Sequence, residues 1–214
     1  GKLLNPPATF TPSDFWESRG IKSWLDADAR GDVSGNSLVH DMMLKLFSIL
    51  FGKSDGALRS VSVFFNLLTL WLLFYWARRQ KPNQEFWPLG ILLLAVIEPF
   101  FVIYSQQAGN YATSLFFTTA SNYFFWQIAQ KENFLHPSYR KKWIFWILAS
   151  VGALFSTYLT ALVLVGQFVF LLIQKSTLRM WGQMVLGMGI IIFPLACWML
   201  WGPGKYFMQF QADA

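Results

Sequence analysis

The sequence predicts an all-helical membrane protein, with about six transmembrane helices and an outer loop that carries an interfacial helix. Three observations predict it. Of 214 residues, 55% are hydrophobic and 13% charged, against about 25% charged in an average soluble domain. Uncharged runs long enough to span recur from residue 60 onward, since a hydrocarbon core of about 30 Å needs about 20 helical residues. Basic residues gather between those runs, where they act as topology signals. Mean hydropathy is +0.39, which excludes a disordered chain and argues against a soluble enzyme. The single cysteine, Cys197, excludes a disulfide scaffold and reads as a small buried hydrophobe. The net charge of +6 resides in short clusters between apolar runs, so no nucleic-acid partner is expected.

Residues 1–57 form the extended polar region and are assigned to the outer side. Within them Leu38, Val39, Met42, Met43, Leu46, Phe47 and Leu50 recur at helical spacing, with His40, Asp41, Lys45 and Ser48 opposite. The pattern predicts an amphipathic helix over 37–51. It stops at Gly52, directly before a span, which suits a helix lying in the membrane interface.

Spans are predicted near 59–77, 86–104, 111–130, 143–156, 158–174 and 181–201. The first ends at Arg78 and Arg79. The second and third carry one charge between them, Glu98, and divide at Ser105-Gln106-Gln107-Ala108-Gly109-Asn110. As one helix, the 32 residues of 143–174 would measure about 48 Å, too long for the bilayer. Both flanks are basic: Arg140, Lys141 and Lys142 precede the run, and Lys175 and Arg179 follow it. Positive-inside logic therefore predicts two short spans turning near Phe155-Ser156-Thr157-Tyr158. The connections on that side carry nine Lys and Arg, whereas 105–110 carries no charge. This places 1–57, 105–110 and the stub 202–214 on the non-cytoplasmic side. The chain opens at Gly1 without an initiator Met and closes in a polar stub after a span. Both ends read as cuts in a larger protein, with a span expected before Gly1.

No GxGxxG, P-loop, HExxH or paired Cys/His spacing occurs. The longest cytoplasmic connection is about a dozen residues, too short for a nucleotide-binding domain. Seven of the 11 acidic residues, Asp14, Glu17, Asp26, Asp28, Asp32, Asp41 and Asp55, lie in the outer region beside Lys2, Arg19, Lys22, Arg30, Lys45 and Lys53. A carboxylate there can take a proton from an acceptor hydroxyl, and a cation can stabilise a departing phosphate. A solvated polar loop has the same composition. Glu98 is an intramembrane carboxylate, about 9 Å of helix from Tyr104. Two readings stand for it: a structural acid bonded to a carbonyl that Pro99 leaves free, or a substrate contact. Arg59 stands at the outer mouth of the first span, either holding a phosphate or snorkelling to headgroups. His40, on the polar face of its helix, reads as solvated or hydrogen-bonded, and His136 as part of a structural turn.

Three stretches together resemble a known family. Asp32-Val33-Ser34-Gly35-Asn36-Ser37-Leu38 leads into Leu50-Phe51-Gly52-Lys53-Ser54-Asp55-Gly56-Ala57-Leu58-Arg59. Glu98-Pro99-Phe100 runs through Tyr104-Ser105-Gln106-Gln107-Ala108-Gly109-Asn110-Tyr111, and Phe155-Ser156-Thr157-Tyr158-Leu159 follows. In this order they resemble the polyprenyl-phosphate-dependent membrane glycosyltransferases, the dolichyl-phosphate-mannose protein mannosyltransferase-like group.

The resemblance implies part of a larger C-type glycosyltransferase fold. It implies transfer of a hexose or pentose from a polyprenyl-phosphate donor to a hydroxyl of a glycan, lipid or protein acceptor. The expected setting is a bacterial inner membrane, with the site facing the periplasm. Asp14 falls where the family carries its acidic motif and is the expected base, with Asp32 in reserve; Asp14 with Glu17 also reads as a helix cap. Arg59 and Arg30 would face the phosphate, and Asn36, His40, Gln107 and Tyr111 would line the sugar site. No cofactor is required, and a divalent metal is left open. Three positions depart from the family pattern: Gln107 stands for its Glu, Gly109 for its Arg and Thr157 for its His. The alternative is a non-catalytic membrane subunit that keeps the fold; a transporter ranks third, since it needs broken helices or a repeat and no repeat is visible.

Overall fold

The computed structural model describes residues 38–107, 109–129, 137–174 and 177–201. Among them every regular element is helical and no strand occurs. Helix α1 (Leu38–Phe51) ends at Gly52, whose φ of 88° is the left-handed conformation that stops a helix without strain only at glycine. Two residues on, Ser54 caps α2 (Asp55–Gln80), its side chain accepting from Ala57 N at 3.2 Å. The Gly-Lys-Ser-Asp stretch is therefore a helix stop and a helix start in one corner.

The stretch expected to span continuously over 86–104 is instead two helices, α3 (Phe86–Ile97) and α4 (Pro99–Gln106), bent by 65°. Pro99 causes the break, because it has no N–H to offer the preceding turn and pushes the residue before it out of the helical region. Glu98 accordingly sits at ψ 116° and caps α4, its carboxylate accepting from Phe100 N at 3.4 Å. Its contact is thus with an amide ahead of it, not with a carbonyl freed behind.

Helix α5 (Tyr111–Ala129) is central and packs on α2 and α6 (Pro137–Leu154). After a turn at 155–157 come a short 3-10 segment (Tyr158–Thr160) and α7 (Ala161–Ile173), then α8 (Leu178–Leu200), capped by Thr177. Trp146 Nε1 donates to Gln167 Oε1 at 2.9 Å. These residues stand about equally far on either side of the turn, so the chain reverses direction there.

The largest core joins Phe125 and Ile128 of α5, Trp146 of α6, Leu164 and Leu171 of α7, and Met184 and Ile191 of α8. Gly187 lets α8 approach, since a Cβ there would overlap the Trp146 ring. A second core packs Leu72 on Tyr123 and Ala149, and a third sets α1 against Val61, Phe65 and Ala112.

Among the described residues two helices, Asp55–Gln80 and Met180–Leu200, are long and apolar enough to cross a membrane, and a third crossing follows if the bent pair counts as one. The protein is an integral membrane protein on this ground. The other expected spans are shorter or more polar for a physical reason. Helix α5 carries Thr113, Ser114, Ser121 and Gln127 facing inward, α6 begins among basic residues, and α7 is short. Ser121 and Asn122 of α5 are satisfied across helices. Gln167 Nε2 donates to Ser121 Oγ at 3.1 Å and Asn122 Oδ1 at 3.0 Å, while Ser121 and Ser150 share a hydrogen bond of 2.8 Å.

Removing Gln167 takes this partner from the Trp146 indole N–H and Asn122 Oδ1, while Ser121 keeps Ser150. Gln167→Leu should lower stability by about 1–3 kcal/mol, read as a fall in the thermal midpoint of the purified protein. Gln174→Leu, at an exposed helix end, should leave the midpoint unchanged.

Candidate functional site

The three stretches singled out in the sequence meet at one end of the bundle. Val39 N donates to Phe155 O at 3.1 Å, tying the start of α1 to the α6–α7 turn. Ser62 Oγ donates to Gln107 O at 2.5 Å, with Gly109 O at 3.4 Å, which ties α2 to the α4–α5 loop. Asn110 Nδ2 reaches Ser156 O at 2.8 Å and Thr157 Oγ1 at 3.3 Å, joining that loop to the same turn. Tyr104 and Tyr111 stack across the loop with ring centroids 4.4 Å apart. The turn is itself braced: Ser156 Oγ donates to Gly152 O at 2.7 Å and Thr160 Oγ1 to Thr157 O at 2.7 Å.

At this end an open cavity of about 530 Å³ is lined by Asp55, Leu58, Arg59, Ile103, Gln106 and Gln107. Asp55 and Arg59 are four residues apart on α2 and so share a face. Asp55 also occupies the first turn, where the helix dipole favours a carboxylate. Arg59 is exposed and carries a planar, permanently charged fork suited to phosphate oxygens. The arrangement can hold an anion beside a carboxylate and two amides.

Of the residues expected at a site, Arg59 and Gln107 stand together in this cavity. Tyr111 lines a neighbouring one deeper in the bundle. His40 departs from its expected place on a polar, solvent-facing side: it is 2% exposed, and its Nδ1 shares a hydrogen bond of 2.9 Å with Thr113 Oγ1 of α5. It braces α1 against α5 behind the cavity. Asp14, Arg30, Asp32 and Asn36 lie outside the described residues, as do Lys131, His136, Lys175 and the stub 202–214. Among the described residues no group of three His, Cys, Asp or Glu side chains gathers.

Sequence reasoning missed Asp55, Ser62 and Asn110. Asp55 left a readable signal, a carboxylate one turn before Arg59 just after a serine cap. Ser62 and Asn110 left none, because their partners are backbone carbonyls far along the chain.

The fold and the cavity define a helical membrane protein with an arginine-bearing cavity at one end of its bundle. The comparison with family models makes this specific. Residues 36–201 match the dolichyl-phosphate-mannose-protein mannosyltransferase family. The chain belongs to that family, which implies membrane glycosyltransferase activity and a lipid-linked sugar donor. No curated protein and no solved structure matches it.

If the Asn110 contacts hold this corner together, Asn110→Ala should speed amide hydrogen exchange in residues 155–160 at least severalfold. Exchange around Gln167 should not change. Uniform acceleration along the chain would instead mark a general loss of stability.

Proposed function

We propose that this chain is part of an enzyme that moves a sugar from a polyprenyl phosphate to a hydroxyl on the outer face of a bacterial inner membrane. The single observation that carries the reading is the Arg59 cavity at the corner where the three family-like stretches meet. Family membership supports it from the other side. In this reading α2, the α3–α4 pair, α5, α6, α7 and α8 cross the bilayer. The cavity then lies at the non-cytoplasmic interface, opposite Arg78, Arg79 and Lys81.

Arg59 holds the donor phosphate, with Arg30 as the second candidate cation, and its charge balances the phosphate released when the glycosidic bond to phosphate breaks. Asp14 takes the proton of the acceptor hydroxyl as that oxygen attacks the sugar, and Asp32 is the reserve base. Gln107 offers an amide to the sugar, together with Asn36 and, from the adjoining cavity, Tyr111. His40 contributes by positioning α1. A glycan, a lipid or a protein can supply the acceptor hydroxyl.

One observation favours a second reading, a non-catalytic subunit. The three positions that depart from the family pattern, Gln107, Gly109 and Thr157, lie in the same hydrogen-bonded corner. The sites of a lost acid, cation and imidazole are therefore neighbours, as they would be if one function had been lost together.

The experiment is sugar transfer by the full-length protein from a polyprenyl-phosphate sugar. Asp14→Asn should lower kcat by about 10²–10⁴-fold with donor affinity unchanged. Asn is also a good helix cap, so a capping role predicts little loss. Arg59→Ala should weaken donor binding by about 10- to 100-fold, the worth of a hydrogen bond to a charged group. Transfer undetectable in the unmutated protein under any donor supports the subunit reading.

A further inference from the structure

Deeper than the Arg59 site, a second cavity of about 560 Å³ lies between α2, the α3–α4 break and α5. Its wall is mostly apolar and aromatic, and among the described residues Glu98 is the one charged side chain that lines it. Glu98 is exposed, so an occupant can reach its carboxylate. Oε1 accepts from Phe100 N at 3.4 Å, a long bond that leaves most of the carboxylate's accepting capacity unused. No lysine or arginine among the described residues pairs with it. Phe100 opens a row of rings: it stacks on Tyr104 with centroids 6.1 Å apart, and Tyr104 stacks on Tyr111 at 4.4 Å. Phe100 is itself exposed, which leaves ring surface open beside the carboxylate. Around the break Leu94 and Ile97 are exposed and apolar as well, a surface suited to hydrocarbon.

We propose that this cavity binds a long-chain amine from the bilayer, with its ammonium against the Glu98 carboxylate and the Phe100 ring and its hydrocarbon chain along Leu73, Phe101 and Leu115. The chemistry selects this class. An anionic head would face the Glu98 carboxylate and meet no cation on the wall. A neutral occupant would leave that carboxylate without a counter-charge in an apolar setting, where ionisable groups are ordinarily paired. A bare metal ion would want more ligands, and no group of three His, Cys, Asp or Glu gathers among the described residues. An ammonium gives the carboxylate a charge-assisted hydrogen bond and is attracted to an aromatic face. The volume falls in the range of about 300–1,000 Å³ usual for small-molecule pockets. The proposal rests on the bent α3–α4 pair crossing the bilayer, as in the reading above, and not on sugar transfer at the separate Arg59 cavity.

Photoaffinity labelling of the full-length protein in phosphatidylcholine vesicles tests this with two probes, a diazirine-bearing hexadecylamine and the matching diazirine hexadecane. The amine should label peptides covering residues 66–73 and 95–104 at about tenfold lower concentration than the alkane, the least that a hydrogen bond to a charged group is worth. Residues 161–173 of α7 should show no such preference. Unlabelled hexadecylamine should compete, whereas N-hexadecylacetamide, which has the same chain and no charge, should not. Glu98→Gln keeps the size and the accepting oxygen of the side chain and should abolish the preference, while Glu98→Asp should retain it. The acetamide comparison carries the test if Glu98→Gln does not fold. Equal labelling by the two probes, competition by the acetamide as strong as by the amine, or a preference that survives Glu98→Gln would overturn the proposal; equal labelling would point to a lysine or arginine of the chain itself as the partner of Glu98. Failure of the alkane to label residues 91–104 at all would remove the bilayer crossing on which the proposal rests, and would leave sugar transfer at Arg59 to its own assay.

Discussion

A polar side chain in an apolar setting costs several kcal/mol unless it finds a partner, and α5 is lined with such side chains. That constraint organises the bundle. Asn122 is met by Gln167 of α7, Ser121 by Gln167 and by Ser150 of α6, and Gln167 is oriented by the Trp146 indole of α6. Thr113, one end of the same helix, is met by His40 of α1. At the other end Arg79 of α2 reaches Tyr123 Oη at 3.3 Å and Gln127 Oε1 at 3.2 Å. Apolar packing gives the helices affinity for one another, but these directional bonds decide which face of α5 meets which neighbour.

The functional corner follows from that register. Once α5 is fixed, its start at Tyr111 sets the loop 107–110 against Ser62 of α2 and against the α6–α7 turn. The α1–α2 corner reaches the same place because Gly52 stops one helix and Ser54 starts the next. Pro99 completes the arrangement by turning α4 out of line with α3, so that Ile103 and Gln106 close over Arg59 instead of continuing a straight span. The break also opens the deeper cavity beside Glu98. One proline therefore shapes the wall of both pockets.

Much of this was legible in the sequence, and the gaps have physical causes. Charge-free runs and their basic flanks pointed to the helices, and the break within 143–174 followed from its length together with its two basic flanks. The α3–α4 bend was missed although Glu98-Pro99 was in view, because hydropathy is blind to backbone hydrogen bonding. His40 was misplaced because amphipathicity was read as in water, with charged and polar residues turned outward. In α1 the apolar Met42, Leu46, Ile49 and Leu50 are exposed and His40 is inside, the pattern expected where an interfacial helix gives its apolar side to lipid. Arg59 was identified by its position at the outer mouth of the first span. Ser62 and Asn110 were not, since neutral polar residues in an apolar run show their purpose only when the opposite helix is known.

The central claim is that the lipid-linked donor is held at the Arg59 end of the bundle. A photoreactive amino acid placed at Ile103, and in a second protein at Gln84, tests it with a radiolabelled polyprenyl-phosphate sugar. Cross-linking at Ile103, competed by unlabelled donor and absent at Gln84, is the predicted result. Cross-linking at Gln84 with none at Ile103 would contradict the account, because it would place the donor at the opposite, arginine-rich end of α2.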